Sequence, residues 1–328
     1  MILMMPQVEE VLPAIYRIEV PLAGSPLKSI NSYLLKGKER NLIIDTGMNT
    51  DECRQALGQA LRLLNVDLQK TDFFITHFHA DHLGLVFQLA SEKSSVFLNG
   101  PDLAALKSAI FWKKAIGFVP RHGFPESEAR YALKIHPASS FKLKDLEKFK
   151  VPSEGDTITV GNYCLQCLET PGHSHGNMCL YEPQEKILFS GDHILGDITP
   201  NIALNIDWSY NPLKKYISSL EKIYNIDVNL VLPGHRSIIS NCRQRITELI
   251  NHHRQRNEEI LAVLKKSPAN AYEIASKISW DMPGTWDHFP VIQKWFAVSE
   301  VLSHLKDLEV KGLVLCEALG DNFIFRRK

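Results

Sequence analysis

The chain has 328 residues, is 45% hydrophobic and 23% charged, and balances 37 Lys+Arg against 37 Asp+Glu. That length supports a large core and two domains. The charge balance gives no bulk attraction to nucleic acid or a membrane surface, and no run of about 18 apolar residues is present to span a bilayer. Met1-Ile2-Leu3-Met4-Met5-Pro6 lacks the basic segment and cleavage site of a secretion signal. Six cysteines in a chain of this size do not make a disulfide scaffold. A cytoplasmic protein is expected.

In chain order, Ile15–Val20, Asn31–Leu35 and Asn41–Asp45 read as strands, and Thr46-Gly47 turns the chain. Residues 50–64 place Ala56, Leu57, Ala60, Leu61 and Leu64 on one helical face. A buried strand over Phe73–Thr76 leads into His77-Phe78-His79-Ala80-Asp81-His82, and a helix is expected over 82–91. Val96-Phe97-Leu98 reads as a strand, and Asn99-Gly100-Pro101-Asp102 as a turn with a helix cap. Residues 103–150 are helical and lysine-rich and read as an insertion. Its aromatic residues Trp112, Phe118 and Phe124 suit either a substrate lid or packing on the core.

Strands resume over about 156–190. Cys164 and Cys167 fall in one of them, where alternation sends the two thiols to opposite faces and argues against a metal or redox pair. A helix is expected over 212–224, and the run Leu230-Val231-Leu232 ends in Pro233-Gly234-His235. From 241 the pattern is helical: a long helix over 241–265, a short one from Ala271 to Ile278 with Asn270 as N-cap, and a third from Phe289 to about Glu309. Leu313–Cys316 and Phe323–Phe325 flank Leu319-Gly320-Asp321-Asn322, a hairpin signal. Three helices and a hairpin form a winged-helix-like pattern.

The chemistry lies in the histidines and aspartates. His77, His79, Asp81 and His82 crowd one strand end, and three later sites repeat a single layout: Thr170-Pro171-Gly172-His173, Phe189-Ser190-Gly191-Asp192 and Leu232-Pro233-Gly234-His235. Each is an apolar run, a turn containing Gly, and a ligand-type side chain just beyond a strand, where sheet scaffolds hold catalytic groups. A lone His is more often a surface or satisfied core residue than a ligand; four ligand-type residues crowded at one strand end, with three more in a repeated layout, are a different matter. Nitrogen and carboxylate donors without thiolate suit zinc, with iron or manganese as alternatives. His77 and His79, two apart in extended chain, point the same way. Asp81 and His82 are adjacent and point differently, which favours a second ion, and Asp192 suits a bridge between the two. His175 and His193 compete as ligands by position. His122, His136, His252 and His253 read as solvated, and Asp45-Thr46-Gly47 reads first as a good turn.

These motifs, in this order, resemble the metallo-β-lactamase superfamily over roughly residues 12–240. The resemblance implies an α+β fold, an αββα sandwich with metals at one sheet edge, as a catalytic domain over 1–240, followed by a small winged-helix-like domain over 241–328. It implies that His77, His79 and His173 bind a first divalent ion, that Asp81, His82 and His235 bind a second, and that Asp192 bridges them. It also implies a supporting role for Asp45. The activity implied is that of a hydrolase using a hydroxide held between two metal ions, with Asp81 placed to handle a proton.

A β-lactamase is disfavoured, because members of that type with a similar HxHxDH motif usually lack the aspartate found here as Asp192. The run from Thr170 to His193 is most similar to hydroxyacylglutathione hydrolases and other thioesterases, so a small acyl thioester or ester is the expected substrate. The tail departs from those hydrolases. Trp286-Asp287-His288-Phe289-Pro290 is similar instead to the tail of a broad β-lactamase-like hydrolase family, some members of which act on RNA. A metal-dependent ribonuclease is therefore the alternative. Residues 241–328 hold 13 Lys/Arg against 11 Asp/Glu, a weak excess for phosphate contacts, so nucleic acid is not favoured as a partner. Packing of the tail on the site rim, or a homodimer, is the simpler expectation. An iron persulfide dioxygenase, which uses the first site alone, is a further alternative.

Overall fold

The computed structural model describes residues 7–108, 114–115, 117–134, 148–204, 206 and 208–328. Seven strands make the first sheet: β1 (Gln7–Leu12), β2 (Ile15–Pro21), β3 (Ser29–Leu35), β4 (Asn41–Ile44), β5 (Thr71–Phe74), β6 (Val96–Phe97) and β7 (Phe149–Lys150), in that spatial order. β1 to β4 pair antiparallel and β4 to β7 parallel. The second sheet contains β8 (Thr157–Val160), β9 (Tyr163–Glu169), β10 (Met178–Glu182), β11 (Ile187–Gly191) and β12 (Leu230–Pro233), ordered β12-β11-β10-β9-β8.

Alternation along the strands builds the layers. Tyr33, Leu35, Leu42, Ile44 and Phe74 of the first sheet join Leu165, Cys167, Leu180, Phe189 and Leu232 of the second in one buried cluster. Their sequence neighbours Leu34, Ile43 and Phe73 face the other way, onto Cys53, Leu57, Ala60 and Leu61 of the helix Asp51–Leu63. On the second sheet, the helix Pro212–Tyr224 ties its C-terminal half to the strand ends: Ser219 Oγ donates to the Pro171 carbonyl at 2.8 Å and Lys222 Nζ to the Glu169 carbonyl at 3.0 Å. The αββα sandwich expected from the sequence is the fold of this part.

The chain divides into two compact units. One comprises Met1–Lys107, Ser140–Pro200 and Ser219–Ile246; the other comprises Ser108–Ser139, Asn201–Ser218 and Thr247–Lys328. The second unit holds most of the long helix Cys242–Lys266, the helices Glu126–Lys134, Ala271–Ala275 and Val291–Val310, and the hairpin of β13 (Val314–Leu319) and β14 (Asn322–Arg327). Its core gathers Val119, Phe124, Ile260, Trp295, Val298, Leu302 and Phe325. The aromatic segment read as lid or packing thus belongs to this core: Phe124 is buried and Phe118 packs beside it, while Trp112 lies outside the described residues. No helix among the described residues is long and apolar enough to cross a membrane.

Several local expectations shift. The strand expected over Phe73–Thr76 ends at Phe74, because the Thr76 N–H leaves the ladder and donates to Asp45 Oδ1 at 2.9 Å. The helix expected over 82–91 is two short ones, Ala80–Leu83 and Val86–Leu89. Tertiary partners take its backbone groups: the His82 carbonyl accepts from Thr46 N–H and Oγ, and Leu85 N–H donates to the Gly47 carbonyl. The helix expected to be capped within 99–102 begins directly after Asn99, whose carbonyl accepts from Leu103 N–H at 3.0 Å, and runs from Gly100 to Lys107 with Asp102 inside it. β1, an exposed strand with no clean alternation, escapes sequence reading. His122 and His253, read as solvated, are buried at 1% and 2% exposure, and His136 lies outside the described residues. Cys164 and Cys167 do take opposite faces, one exposed and one buried.

Candidate metal centre

Every ligand-type side chain anticipated from the sequence stands on chain leaving the C-terminal end of a strand. His77 and His79 follow β5, Asp81 and His82 lie in the one-turn helix Ala80–Leu83, His173 follows β9, Asp192 follows β11 and His235 follows β12. These turns are fastened to one another. Gly234 N–H donates to the Gly191 carbonyl at 2.8 Å, and Asn31 Nδ2 donates to the carbonyls of Pro233 and Arg236, both at 2.9 Å. Gly234 is required by close approach: a Cβ there would lie 2.7 Å from Asp192 Oδ1 and 2.8 Å from His82 Cε1. This glycine turn therefore lets ligand-type side chains pass at contact distance.

The seven side chains converge as two trios and a link. His77 Nε2, His79 Nδ1 and His173 Nε2 form a triangle with edges of 2.9, 3.0 and 3.2 Å. Asp81, His82 and His235 form a second trio, with Asp81 Oδ2 3.4 Å from His235 Nε2. Asp192 reaches both. Its Oδ2 is 3.5 Å from His173 Nε2, and its Oδ1 is 3.4 Å from His82 Nε2 and 3.5 Å from His235 Nε2. His175 is exposed and His193, though buried, joins none of the clusters found among the described residues.

Outer partners set the ring orientations. His235 Nδ1–H donates to the Ser29 carbonyl at 2.7 Å, which leaves Nε2 facing the site. Asp45 Oδ2 accepts from His82 Nδ1 at 2.7 Å and from Thr76 Oγ at 2.8 Å. Thr76 Oγ in turn lies 3.1 Å from His77 Nδ1. The roles of Asn31 and Thr76 were not visible in the sequence, where neither stands out from ordinary strand residues.

The donor set fits divalent cations. Burial and the neighbouring histidines hold His77 well below the ordinary imidazole range, and burial together with His173 pushes His79 down to about 3. Both rings are therefore neutral, as ligands must be. Burial opposes charge on Asp81 and Asp192, but the surrounding histidines outweigh it and keep both carboxylates ionised. Burial likewise opposes protonation of His82, yet the carboxylates of Asp45 and Asp192 raise its pKa well above the usual value, so a cation bound at its Nε2 would have to displace a proton. His82 Nε2, His235 Nε2 and Asp192 Oδ1 are all buried without a hydrogen-bond partner. Such orphaned atoms are costly unless something else binds them, and a metal ion satisfies all three.

A two-sheet sandwich carrying histidine and aspartate clusters at its strand ends defines a metal-dependent hydrolase. A match to the metallo-beta-lactamase superfamily covers residues 26–235, and the chain belongs to that superfamily. The chain is 27% identical over 322 residues to a probable metallo-hydrolase of Bacillus subtilis, YqjP, covering 94% of this chain and 96% of that one. It is 26% identical over 267 residues to an atrochrysone carboxyl ACP thioesterase of Aspergillus fumigatus, covering 80% of this chain and 68% of the relative. Among solved structures, the metallo-beta-lactamase family protein TTHA1429 of Thermus thermophilus superposes with a TM-score of 0.79 at 28% identity, covering 97% of this chain and all (100%) of that one.

Proposed function

We propose that this protein hydrolyses a thioester or ester at a site that holds two divalent ions, zinc foremost, with iron or manganese as alternatives. The observation that carries this reading is Asp192, which turns one carboxylate oxygen to each trio. A single carboxylate serving both clusters is an arrangement suited to a pair of ions. Divalent ions held there supply Lewis-acid polarisation of a carbonyl oxygen and make a water more acidic.

The chain's own residues do the rest. His77, His79 and His173 present neutral nitrogens to one position; Asp81, His82 and His235 present one carboxylate and two nitrogens to the other. Asp81 is partly exposed beside His235, a placement suited to passing a proton to or from solvent during acyl cleavage. The relative named as an acyl-carrier thioesterase supports an acyl substrate.

The ribonuclease alternative needs a basic, solvated surface. In the helix Val291–Val310, Lys294 is buried together with Glu300 and Asp307, which weighs against a basic stripe for RNA on this helix. The complete second trio supports two ions over the single iron of a persulfide dioxygenase. The winged-helix-like reading of residues 241–328 rests on their order of three helices and a hairpin.

The test is a rate panel on the metal-loaded chain with S-acyl glutathione, acyl-CoA, acyl-carrier thioesters, lactones and single-stranded RNA. Turnover of an acyl substrate is expected; RNA cleavage with no acyl turnover would refute the proposal, and oxygen uptake with a persulfide would favour the dioxygenase. Asp192→Ala is expected to abolish activity and lower metal content. Unchanged loading at a near-normal rate would exclude a bridging Asp192.

A further inference from the structure

Asp102 is not one of the seven ligand-type residues, yet its carboxylate touches both loops that carry the first trio. It sits in the helix Gly100–Lys107 at 0% exposure. Oδ2 accepts from the backbone N–H of Phe78 at 3.0 Å and from Ser174 Oγ at 2.7 Å, and Oδ1 accepts from the Gly176 N–H at 2.7 Å. Phe78 lies between His77 and His79; Ser174 follows His173. Gly176 completes the contact, because a Cβ there would stand 2.7 Å from the Asp102 backbone nitrogen and 2.9 Å from its carboxylate.

The physical problem this contact answers is one of register. His77 and His79 leave the first sheet and His173 leaves the second. The core between the sheets is apolar, which sets spacing without direction, while a metal trio needs its donors held to within about 0.5 Å. The hydrogen bond from Met178 N–H to the Thr76 carbonyl, 2.9 Å, ties the two strand ends together directly. Asp102 adds a second tie, made to the loops that carry the trio itself. Among the described residues no cationic side chain pairs with it, so its burial is offset only by the three donors, and burial raises its pKa to about 6. An apolar residue at this position would avoid that cost but would leave two backbone N–H groups buried and unpaired.

We propose that Asp102 is a positioning residue that locks the His77–His79 loop to the His173 loop and so sets the geometry of the first trio. This rests on the reading that the trio binds a divalent ion. The experiment uses the full chain as wild type, Asp102→Ala, Asp102→Asn, Ser174→Ala and Gly176→Ala. Each is loaded with zinc for metal content and chelator competition, and with cobalt(II) for its visible spectrum.

Wild type is expected to bind two equivalents. Asp102→Ala should hold one equivalent about tenfold or more weakly, keep the other near wild-type affinity, and lose part of the cobalt spectrum. Asp102→Asn leaves one backbone N–H unpaired in either amide orientation and should fall between. Ser174→Ala, which removes one donor and keeps the carboxylate, should show a smaller loss in the same equivalent, and keeps the test available if Asp102→Ala fails to fold. Gly176→Ala should mimic Asp102→Ala. Two equivalents at wild-type affinity with an unchanged spectrum in Asp102→Ala overturn the proposal; so does equal loss of both ions with a lowered apoprotein melting temperature, which would make Asp102 a general fold residue. A wild-type chain that takes up no divalent ion overturns the metal reading itself, a result distinct from either.

Discussion

A single carboxylate, Asp45, orients one ring in each of the two candidate metal trios. It binds His82 Nδ1 directly and reaches His77 through the Thr76 hydroxyl, which lies between Asp45 Oδ2 and His77 Nδ1. A hydroxyl that donates to the carboxylate can only accept from the imidazole, so His77 carries its proton on Nδ1 and turns Nε2 to the site. Asp45 itself adopts a left-handed backbone, φ 57°, which aspartate tolerates better than most residues. Thr76→Val keeps the shape and removes this link; about tenfold weaker metal binding is expected by chelator competition, with the apoprotein melting temperature changed much less. Equal metal affinity in the variant would show that the link is dispensable. At this scale the sequence revealed the ligand-type side chains, because donor chemistry is a property of the residue; their grouping was implied by the family resemblance. It did not reveal Thr76, Asn31 or Asp102, whose roles depend on what the fold brings next to them.

Elements were legible where local chemistry decides them. Asn270 caps the helix Ala271–Ala275: its side chain accepts from Glu273 N–H, and the Glu273 side chain accepts from Asn270 N–H in return. Asn270→Ala should cost about 1 kcal/mol, read as a lower midpoint in chemical denaturation, with metal binding unchanged. The hairpin β13–β14 closes at Leu319↔Asn322 around Gly320-Asp321, where Gly320 takes a positive φ of 61°, as its residues announce. Elements were misjudged where distant partners capture backbone groups. Thr46 and Gly47 break what periodicity presents as one helix over 82–91, and Asp45 ends β5 two residues early. Periodicity reports which side of an element is apolar, and it carries no information about hydrogen bonds made across 30 or more residues.

At the scale of the whole chain, buried histidines outside the metal centre couple stability to pH. His122 stacks against Trp208, Phe323 and Phe325 with centroids 5.6, 4.9 and 5.8 Å away, and burial lowers its pKa to about 4. Because its folded pKa lies below the unfolded value of about 6.5, the unfolded chain binds more protons between those limits, and stability falls as pH drops through that window. His253, buried against His304, is pushed down to about 3 and acts in the same direction. Replacing His122 by Phe should flatten the loss between pH 7 and pH 5 by about 2 kcal/mol, measured by denaturant unfolding at both pH values; an unchanged slope would remove His122 as a source.

By itself the sequence determined seven ligand-type side chains and the helix–hairpin order of the tail, through donor chemistry, glycine turns and local alternation; the sandwich fold and the grouping of those side chains into two trios were implied by the family its motifs resemble. Only the tertiary structure decided that the described residues between 108 and 134 belong with the C-terminal unit, that His122 and His253 are buried, and that Asp102 joins the two loops of the first trio. Each of these depends on which distant surfaces meet, and the spacing of residues along a chain does not contain that information.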